Sequence, residues 1–349
     1  MAPPFFADLP CRLCIPKKQA SIFAASADAE AIQAEVRSLV DRFIPAELEP
    51  AAVEIVGHQS GVPRQYPRSP DKIRRQVATA CPVLPTVETM RFAFETMGLD
   101  AIEMDVQVVV DGDGGGGEVY VIHDRPTAAD MADEVVAAYL AGNTLALVLE
   151  AFVAAGYHQQ GRRIYLELKT HPPMGELADV DLRLVERTAG IIDEVALSCG
   201  SESEQFRSQI GFVSFNDRAL KRASDLAASG HSFHFIAGTN RPICSLLAGM
   251  IDETRLDRAA IERLQSSSWL TGIWFSPGWV PDYGTVFPTI DAAWDRQLSY
   301  GIGTYYTSAS RLRRLTRQEG NRHLNSRITS VITELVSSTP VTGPQCRHR

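Results

Sequence analysis

The sequence lacks the long apolar runs and the excess of basic residues that are typical of membrane and nucleic-acid-binding proteins. No stretch approaches the roughly 18 consecutive apolar residues of a membrane-spanning helix. The amino terminus also lacks the apolar run of a signal peptide. The formal net charge of the 349-residue chain is −8, so no overall positive field would attract nucleic acid or anionic lipid. We therefore expect a cytoplasmic protein with no transmembrane segment and no nucleic-acid partner.

Closely spaced cysteines and phosphate-binding loops are also scarce. The chain has six cysteines, and only Cys11 and Cys14 form a C-x-x-C pair. That pair is a weak signal for zinc or redox chemistry, because no second pair follows it. The glycine-rich run at 111–118 lacks the G-K-[ST] ending of a P-loop and opens no helix. Strand-like residues flank it on both sides, which favours the tip of a hairpin over a phosphate site.

Short β-rich runs alternate with longer helical patterns from residue 52 onwards. Eight runs predict strands, at 52–57, 101–110, 164–169, 210–215, 233–236, 271–275, 302–306 and 328–333. Segments with a helical period separate most of them, at 86–97, 134–156, 179–196, 217–228, 255–266, 288–299 and 309–318. Eight such units close most naturally into a (β/α)₈ TIM barrel, an α/β fold. An open doubly wound sheet is the structural alternative.

An amphipathic helix pattern precedes the barrel. Apolar residues recur with a helical period until Pro45 ends the pattern, at Ile32, Val36, Leu39, Val40 and Phe43. We predict that this helix packs on the outside of the main domain. The predicted units are an amino-terminal helical extension, a barrel and a carboxyl-terminal tail, at 1–50, 51–336 and 337–349.

Two acids interrupt the second predicted strand. Side chains alternate faces along a strand, so Glu103, Asp105 and Gln107 share one face, and the apolar residues between them share the other. An acid that faces a core must be paired or must hold a metal, because an isolated buried charge is too costly. On an exposed strand the two acids could instead pair with nearby arginines.

Ionisable side chains also lie at the ends of the neighbouring predicted strands. His58 ends the first strand, and His123 ends the hairpin that follows the second. Glu167 and Lys169 share one face at the end of the third. Because active sites of TIM barrels lie at the carboxyl ends of the strands, we expect these groups to gather at one mouth of the barrel.

Three carboxylates without a soft ligand indicate one divalent cation, Mg²⁺ or Ca²⁺. Two carboxylates about 5 Å apart repel by roughly 3 kcal/mol at an effective dielectric constant of about 20. Two histidines fit a general base and a general acid, because imidazole titrates at about pH 6.5. Taken singly, His58 could be a hydrogen-bonded loop residue, and Glu167 with Lys169 could be a structural ion pair.

The joint order of these residues resembles the glycerophosphodiester phosphodiesterase family, within the phospholipase-C-like phosphodiesterase barrels. Residues 98–124, GLDAIEMDVQVVVDGDG…VYVIHD, are similar to the family pattern G-A-D-x-I-E-x-D-V…D-G…H-D. The stretches IYLELKT at 164–170 and GFVSFN at 211–216 resemble its next two strands. The resemblance covers about residues 52–335 and implies a TIM barrel that cleaves phosphodiesters.

The resemblance also implies a role for each matching residue. It implies that the metal ligands are Glu103, Asp105 and Glu167, the acid–base pair is His58 and His123, and the phosphate ligand is Lys169. Gln59 stands where the family has an arginine that helps to bind phosphate. We assign it to substrate binding, although an amide brings neither the charge nor the bidentate geometry of a guanidinium.

These expectations describe a metal-dependent hydrolase that cleaves a small glycerophosphodiester-type substrate to an alcohol and a glycerol phosphate. Two other functions stay open at this stage. A phospholipase-D-like enzyme or cyclising lyase would act on lysophospholipid or sphingolipid head groups, and a long hairpin at 111–118 would fit such bulkier substrates. A non-catalytic barrel that binds phosphorylated ligands is the more distant alternative, and Gln59 is its main support.

Overall fold

Eight parallel strands and one antiparallel strand form the sheet of the protein. The computed structural model describes residues 29–41, 53–58, 87–109, 117–171, 175–237, 264, 267–275, 298–303 and 328–333. The strands are β1 Glu54–Gly57, β2 Ala101–Val109, β3 Glu118–Val121, β4 Arg163–Leu168, β5 Ile210–Ser214, β6 Ser232–Ala237, β7 Gly272–Phe275, β8 Ser299–Gly303 and β9 Ile328–Thr333. Predictions on other segments, including Gln59, the helix pattern at 309–318 and most of the pattern at 288–299, lie outside the described residues; at Ser299 that last pattern is wrong, because β8 begins there.

The parallel strands close into a barrel. Strand β1 pairs with β9, at Glu54 opposite Ser330, and also with β2, at Val56 opposite Ala101. The other parallel strands follow one another around the ring, and β3 adds to β2 as an antiparallel hairpin. An open doubly wound sheet would leave two edge strands unpaired, so the ring excludes it. The predicted (β/α)₈ barrel is confirmed.

Helices cover the outside of the described barrel. They are α1 Ala29–Asp41, α2 Val87–Arg91, α3 Ala128–Ala132, α4 Glu134–Ala141, α5 Leu145–Ala154, α6 Asp179–Ser198, α7 Ser203–Ser208 and α8 Asp217–Leu226. In α1, Gln33 Nε2 donates to the backbone oxygen of Glu95 at 3.1 Å, and Val36 is buried in the main core. Among the described residues, no helix combines the length and the apolar character needed to cross a bilayer.

Three sequence predictions of element boundaries were wrong. The single helix predicted at 134–156 is two helices, because Thr144 caps the second one by accepting the N–H of Leu147 at 3.3 Å. The strand predicted at 302–306 begins earlier, at Ser299, where its register with β7 starts. The helix predicted at 86–97 changes after Arg91 into a π-helical turn, Phe92–Thr96.

Two separate apolar layers stabilise the barrel. Outward-facing residues of the strands, such as Met104 and Val106, join the large core beneath the helices. A smaller cluster fills the barrel interior with Val56, Ala101, Tyr165, Val213, Ile236, Trp274 and Ile332. All seven of these residues are buried, so they form a packed core. Burying each large apolar side chain contributes about 1.5–3 kcal/mol to stability.

Glycines make room for the aromatic rings inside the barrel. Three interior rings each lie directly opposite a glycine of the next strand, in the pairs Tyr165–Gly211, His234–Gly272 and Trp274–Gly301. At each of these glycines a Cβ atom would come within 2.5 Å of the neighbouring ring. Because that distance is far below van der Waals contact, a side chain at any of the three positions would displace a ring of the interior core.

His234 is enclosed within this interior without a polar partner. Its side chain is buried, and neither ring nitrogen has a hydrogen-bond partner among the described residues. The rings of Tyr165 and Trp274 lie 5.2 and 5.5 Å from the imidazole ring, while the Tyr165 hydroxyl donates to Glu54. Burial, together with the charge of Arg163, lowers the pKa of His234 to about 3.

We predict that His234 makes stability depend on pH. In the unfolded chain its pKa is about 6.5, so the unfolded state binds a proton first as the pH falls. Stability is therefore fully present above pH 6.5 and is lost progressively from there towards the folded-state pKa of about 3. Between pH 7 and pH 5 this group should remove about 2 kcal/mol. Urea unfolding of wild type and His234→Leu at both pH values measures it, and equal pH dependence in the two proteins contradicts it.

Candidate metal centre

Strands β2 and β4 bring the three predicted metal ligands together. Asp105 lies directly opposite Glu167 in the parallel register, and Glu103 precedes Asp105 by two residues on the same face. Three oxygen atoms, one from each carboxylate, lie within 4.8 Å of one another. All three side chains are buried, with at most 2% of any residue exposed to solvent.

This arrangement fits a hard divalent cation. Two oxygens bound to one cation lie at most twice the metal–oxygen distance apart, which is about 4.2 Å for Mg²⁺ and about 4.6–5.2 Å for Ca²⁺. The oxygens all lie within 4.8 Å of one another, so they are close enough to converge on one such cation after a small contraction. Because all three ligands offer oxygen, the chemistry of the site also favours these two ions over softer metals.

Lys169 is in direct contact with two of the carboxylates. Its Nζ lies 3.0 Å from Asp105 Oδ1 and 2.5 Å from Glu167 Oε1, and 5.8 Å from the centre of the Phe215 ring. Burial acts to lower the pKa of Lys169, but the charges of Asp105 and Glu167 outweigh it and raise the pKa well above its usual value. The lysine is therefore a fixed positive charge.

One ammonium does not balance three buried acids. Burial, and then repulsion by Asp105, raises the pKa of Glu103 to about 8. Burial raises the pKa of Glu167 to about 7, although the charge of Lys169 opposes this rise. The positive charge of Lys169 does not offset the burial and mutual repulsion of these carboxylates, and a cation would add the charge that is still needed. Because metal ligands must be deprotonated, cation binding here would release protons.

His58 lies against the acid cluster at the end of β1. Its Nε2 is 3.8 Å from Glu103 Oε2, a distance typical of an ion pair and too long for a hydrogen bond. The side chain is 15% exposed, so the ring reaches the barrel mouth. The structure thus brings His58 to the carboxylates, as the order of the strands predicted.

His123 follows β3 and is paired with its neighbour in the chain. Its Nδ1 lies 3.1 Å from Asp124 Oδ1, and its side chain is 30% exposed. Burial, and then the charge of Lys169, lowers the pKa of His123, so the ring is neutral at pH 7. A neutral imidazole that donates its Nδ1 proton carries its lone pair on Nε2. Such a ring has the character of a general base.

Sequence patterns did not identify Arg125 and Asp181, which form a partly buried ion pair near the site. They are 56 residues apart, and Arg125 Nη2 donates to Asp181 Oδ1 at 2.6 Å. An arginine after a loop histidine and an aspartate in the first turn of a helix are common, so no sequence signal joined them. His171 follows Lys169 by two residues, and its side chain is exposed. Its backbone N–H donates to the same Asp181 carboxylate.

A second concave region lies outside the barrel and differs in character. It is a cavity of about 660 Å³ on the outer surface, between α8 and the segment around Trp269. Its three cations are each paired with an acid, in the pairs Arg218–Glu176, Lys221–Asp225 and Arg222–Glu186. This outer cavity therefore carries balanced surface charge, whereas the barrel mouth carries an excess of buried negative charge among the described residues. Chemistry places the candidate site at the mouth.

No protein-family model matches the chain, and no curated protein matches it. The likeness to the glycerophosphodiester phosphodiesterase family therefore rests on the motif residues at 98–124, 164–170 and 211–216.

We predict that Ca²⁺ and Mg²⁺ stabilise the folded protein through this cluster. A ligand that binds only the folded state at roughly 100 times its Kd adds about 2.7 kcal/mol to the free energy of unfolding. Glu103→Gln should lose this gain and should also melt higher than wild type in chelator, because it removes a buried, repelled carboxylate.

Thermal unfolding with each cation and with chelator measures both effects. The matched control is Glu186→Gln, which changes an exposed acid paired with Arg222 and should keep the full gain. An equal gain in Glu103→Gln and wild type would show that the cation binds elsewhere.

Proposed function

We propose that the protein is a divalent-metal-dependent phosphodiesterase that cleaves glycerophosphodiester-type substrates to an alcohol and a glycerol phosphate. The observation that carries the proposal is the buried cluster of Glu103, Asp105 and Glu167 around Lys169. His58 lies 3.8 Å from a Glu103 oxygen, and the charges of Lys169 and Asp105 act on the His123 ring. Hard-cation ligands, a phosphate-binding charge and an acid–base pair are the groups that phosphodiester cleavage requires.

The three carboxylates would hold the cation in this scheme. When bound, the cation would supply Lewis-acid stabilisation of the negative charge that develops on the phosphoryl oxygens. Lys169 would bind a second phosphoryl oxygen, because a buried ammonium keeps donors for an anion beyond those that its two carboxylates accept. Its contacts with Asp105 and Glu167 hold the ammonium beside the cation site.

The two histidines lie in different electrostatic environments. Burial, and then the charge of Lys169, lowers the pKa of His123 against the opposing charges of Asp105 and Asp124, whereas His58 lies 3.8 Å from a Glu103 oxygen. Titratable groups in contrasting environments divide the acid and base roles between them. We assign the base that deprotonates the nucleophile to His123 and the acid that protonates the leaving alkoxide to His58.

The reaction has two versions, which differ in the nucleophile that attacks phosphorus. Attack by water gives the glycerol phosphate directly, and attack by a neighbouring hydroxyl of the substrate gives a cyclic phosphate first. Both versions use the same acid, base and cation. Phosphorus NMR of the early products distinguishes them.

We predict metal-dependent release of product from glycerophosphocholine and from bis(p-nitrophenyl) phosphate. Activity should require Mg²⁺ or Ca²⁺ and should vanish in chelator. In Glu103→Ala it should fall by at least about 100-fold, because the cation loses a ligand. Glu186→Ala is the control with unchanged activity, since its carboxylate pairs with Arg222 on the surface. Full activity in excess chelator would rule out the metal. Activity on lysophospholipids alone would indicate the lipid-directed alternative.

We predict that His123→Ala lowers turnover far more than substrate binding. Loss of a general base costs about 10²–10⁴ in kcat, while KM should change by only about threefold, because the imidazole acts in the transition state. Steady-state kinetics on glycerophosphocholine give both constants. The control is His158→Gln, whose ring pairs with Glu202 away from the carboxylates. Normal kcat in His123→Ala would remove this residue from the mechanism.

A further inference from the structure

A chain of polar contacts continues from the metal-ligand face of β2 to helix α6. Gln107 lies on the same face as Asp105, and its Nε2 donates to the backbone oxygen of His123 at 3.0 Å. Arg125 Nε donates to Gln107 Oε1 at 3.3 Å, and Arg125 Nη2 donates to Asp181 at 2.6 Å. The contacts thus run from the buried Asp181, in the first turn of α6, to the backbone of His123.

Asp181 connects two loops of the barrel mouth. It is fully buried in the first turn of α6, where the helix dipole favours a negative charge. Besides Arg125, its carboxylate accepts the backbone N–H of His171 at 3.2 Å. Arg125 belongs to the loop that carries His123, and His171 to the loop that carries Lys169. The Asp181 carboxylate therefore connects the loop that carries His123 with the loop that carries Lys169.

The guanidinium of Arg125 also determines how Gln107 is oriented. An arginine only donates, so it must face the amide oxygen of Gln107. The amide nitrogen of Gln107 then points the other way, towards the backbone oxygen of His123. A lysine could keep the contact with Asp181, but its single nitrogen lacks the fork that reaches both partners at once.

We propose that Arg125 and Asp181, acting through Gln107, are positioning residues that fix His123 relative to Lys169 for catalysis. This inference rests on the phosphodiesterase function proposed above. It adds a requirement for three residues beyond the proposed metal ligands, phosphate ligand and acid–base pair. Its physical basis is that a misplacement of about 1 Å can cost about 10²-fold in rate.

Arg187 provides a matched control on the same helix. Its Nε donates to the backbone oxygen of Gly117 at 3.1 Å, so it also joins α6 to the β2–β3 hairpin. That contact lies at the start of β3, whereas His123 follows the end of the strand. Arg187→Lys and Arg125→Lys make the same chemical change, and only the second interrupts the path to His123.

The test compares Arg125→Lys, Gln107→Leu and Arg187→Lys by steady-state kinetics on glycerophosphocholine. We expect kcat to fall about 10- to 100-fold in the first two variants, with KM within about threefold. Arg187→Lys should match wild type. The kcat of the double variant Gln107→Leu/Arg125→Lys should equal that of the less active single variant, because the two residues act in one path. Additive losses, or wild-type kcat in both single variants, would overturn the proposal.

A second readout needs no activity. Diethyl pyrocarbonate modifies histidine rings, and peptide mass spectrometry gives the rate at His123 with the buried His158 as internal reference. We expect the rate at His123 to change at least threefold, about 0.65 kcal/mol, in Arg125→Lys and Gln107→Leu but not in Arg187→Lys. Gln107→Leu removes no charge, so it remains informative if the arginine variant fails to fold. An inactive wild type would refute the phosphodiesterase function, whereas unchanged labelling would refute the positioning role.

Discussion

The mutual repulsion of three buried carboxylates is the constraint on which the candidate site depends. Burial alone would raise the pKa values of Glu103 and Glu167, and the proximity of Asp105 raises both further. The cluster exists because the register of β2 against β4 places Asp105 opposite Glu167. A slip of one residue would turn the acids towards the helices and their apolar neighbours into the barrel. Hydrophobic packing on the outer wall therefore holds the acids in place.

The interior of the barrel changes in polarity along its axis. In the amino-terminal half, aromatic rings pack against glycines of the next strand, and His234 stays neutral among them. At the carboxyl-terminal end the same inward face carries acids and Lys169. Because the interior cluster is buried and apolar, the effective dielectric constant beneath the acids is lower than that of water, which strengthens their electrostatic interactions. Packing at one end of the barrel thus determines the chemistry available at the other.

Sequence periodicity predicted the parts of the structure that depend on local pattern. The alternation of Glu103 and Asp105 with apolar residues predicted a shared face, and the alternation of strands with helices predicted the barrel. Boundaries were less accessible, since the break at Thr144 depends on a cap, and a helical period does not reveal one. The bond between Arg125 and Asp181 could not be predicted at all. It joins residues far apart in sequence, and only the register of three strands brings them together.

Charge balance explains why the proposed site needs both a lysine and two different histidines. The ammonium of Lys169 and a divalent cation together would cancel the three negative charges of Glu103, Asp105 and Glu167. A bound phosphodiester then adds one negative charge, which a protonated histidine would neutralise. The other histidine would have to stay neutral to accept a proton, and burial, and then the charge of Lys169, lowers the pKa of His123 and favours that form. The lysine that offsets the acids would therefore also help to keep the proposed base neutral, so its position between Asp105 and Glu167 would link cation binding to proton transfer.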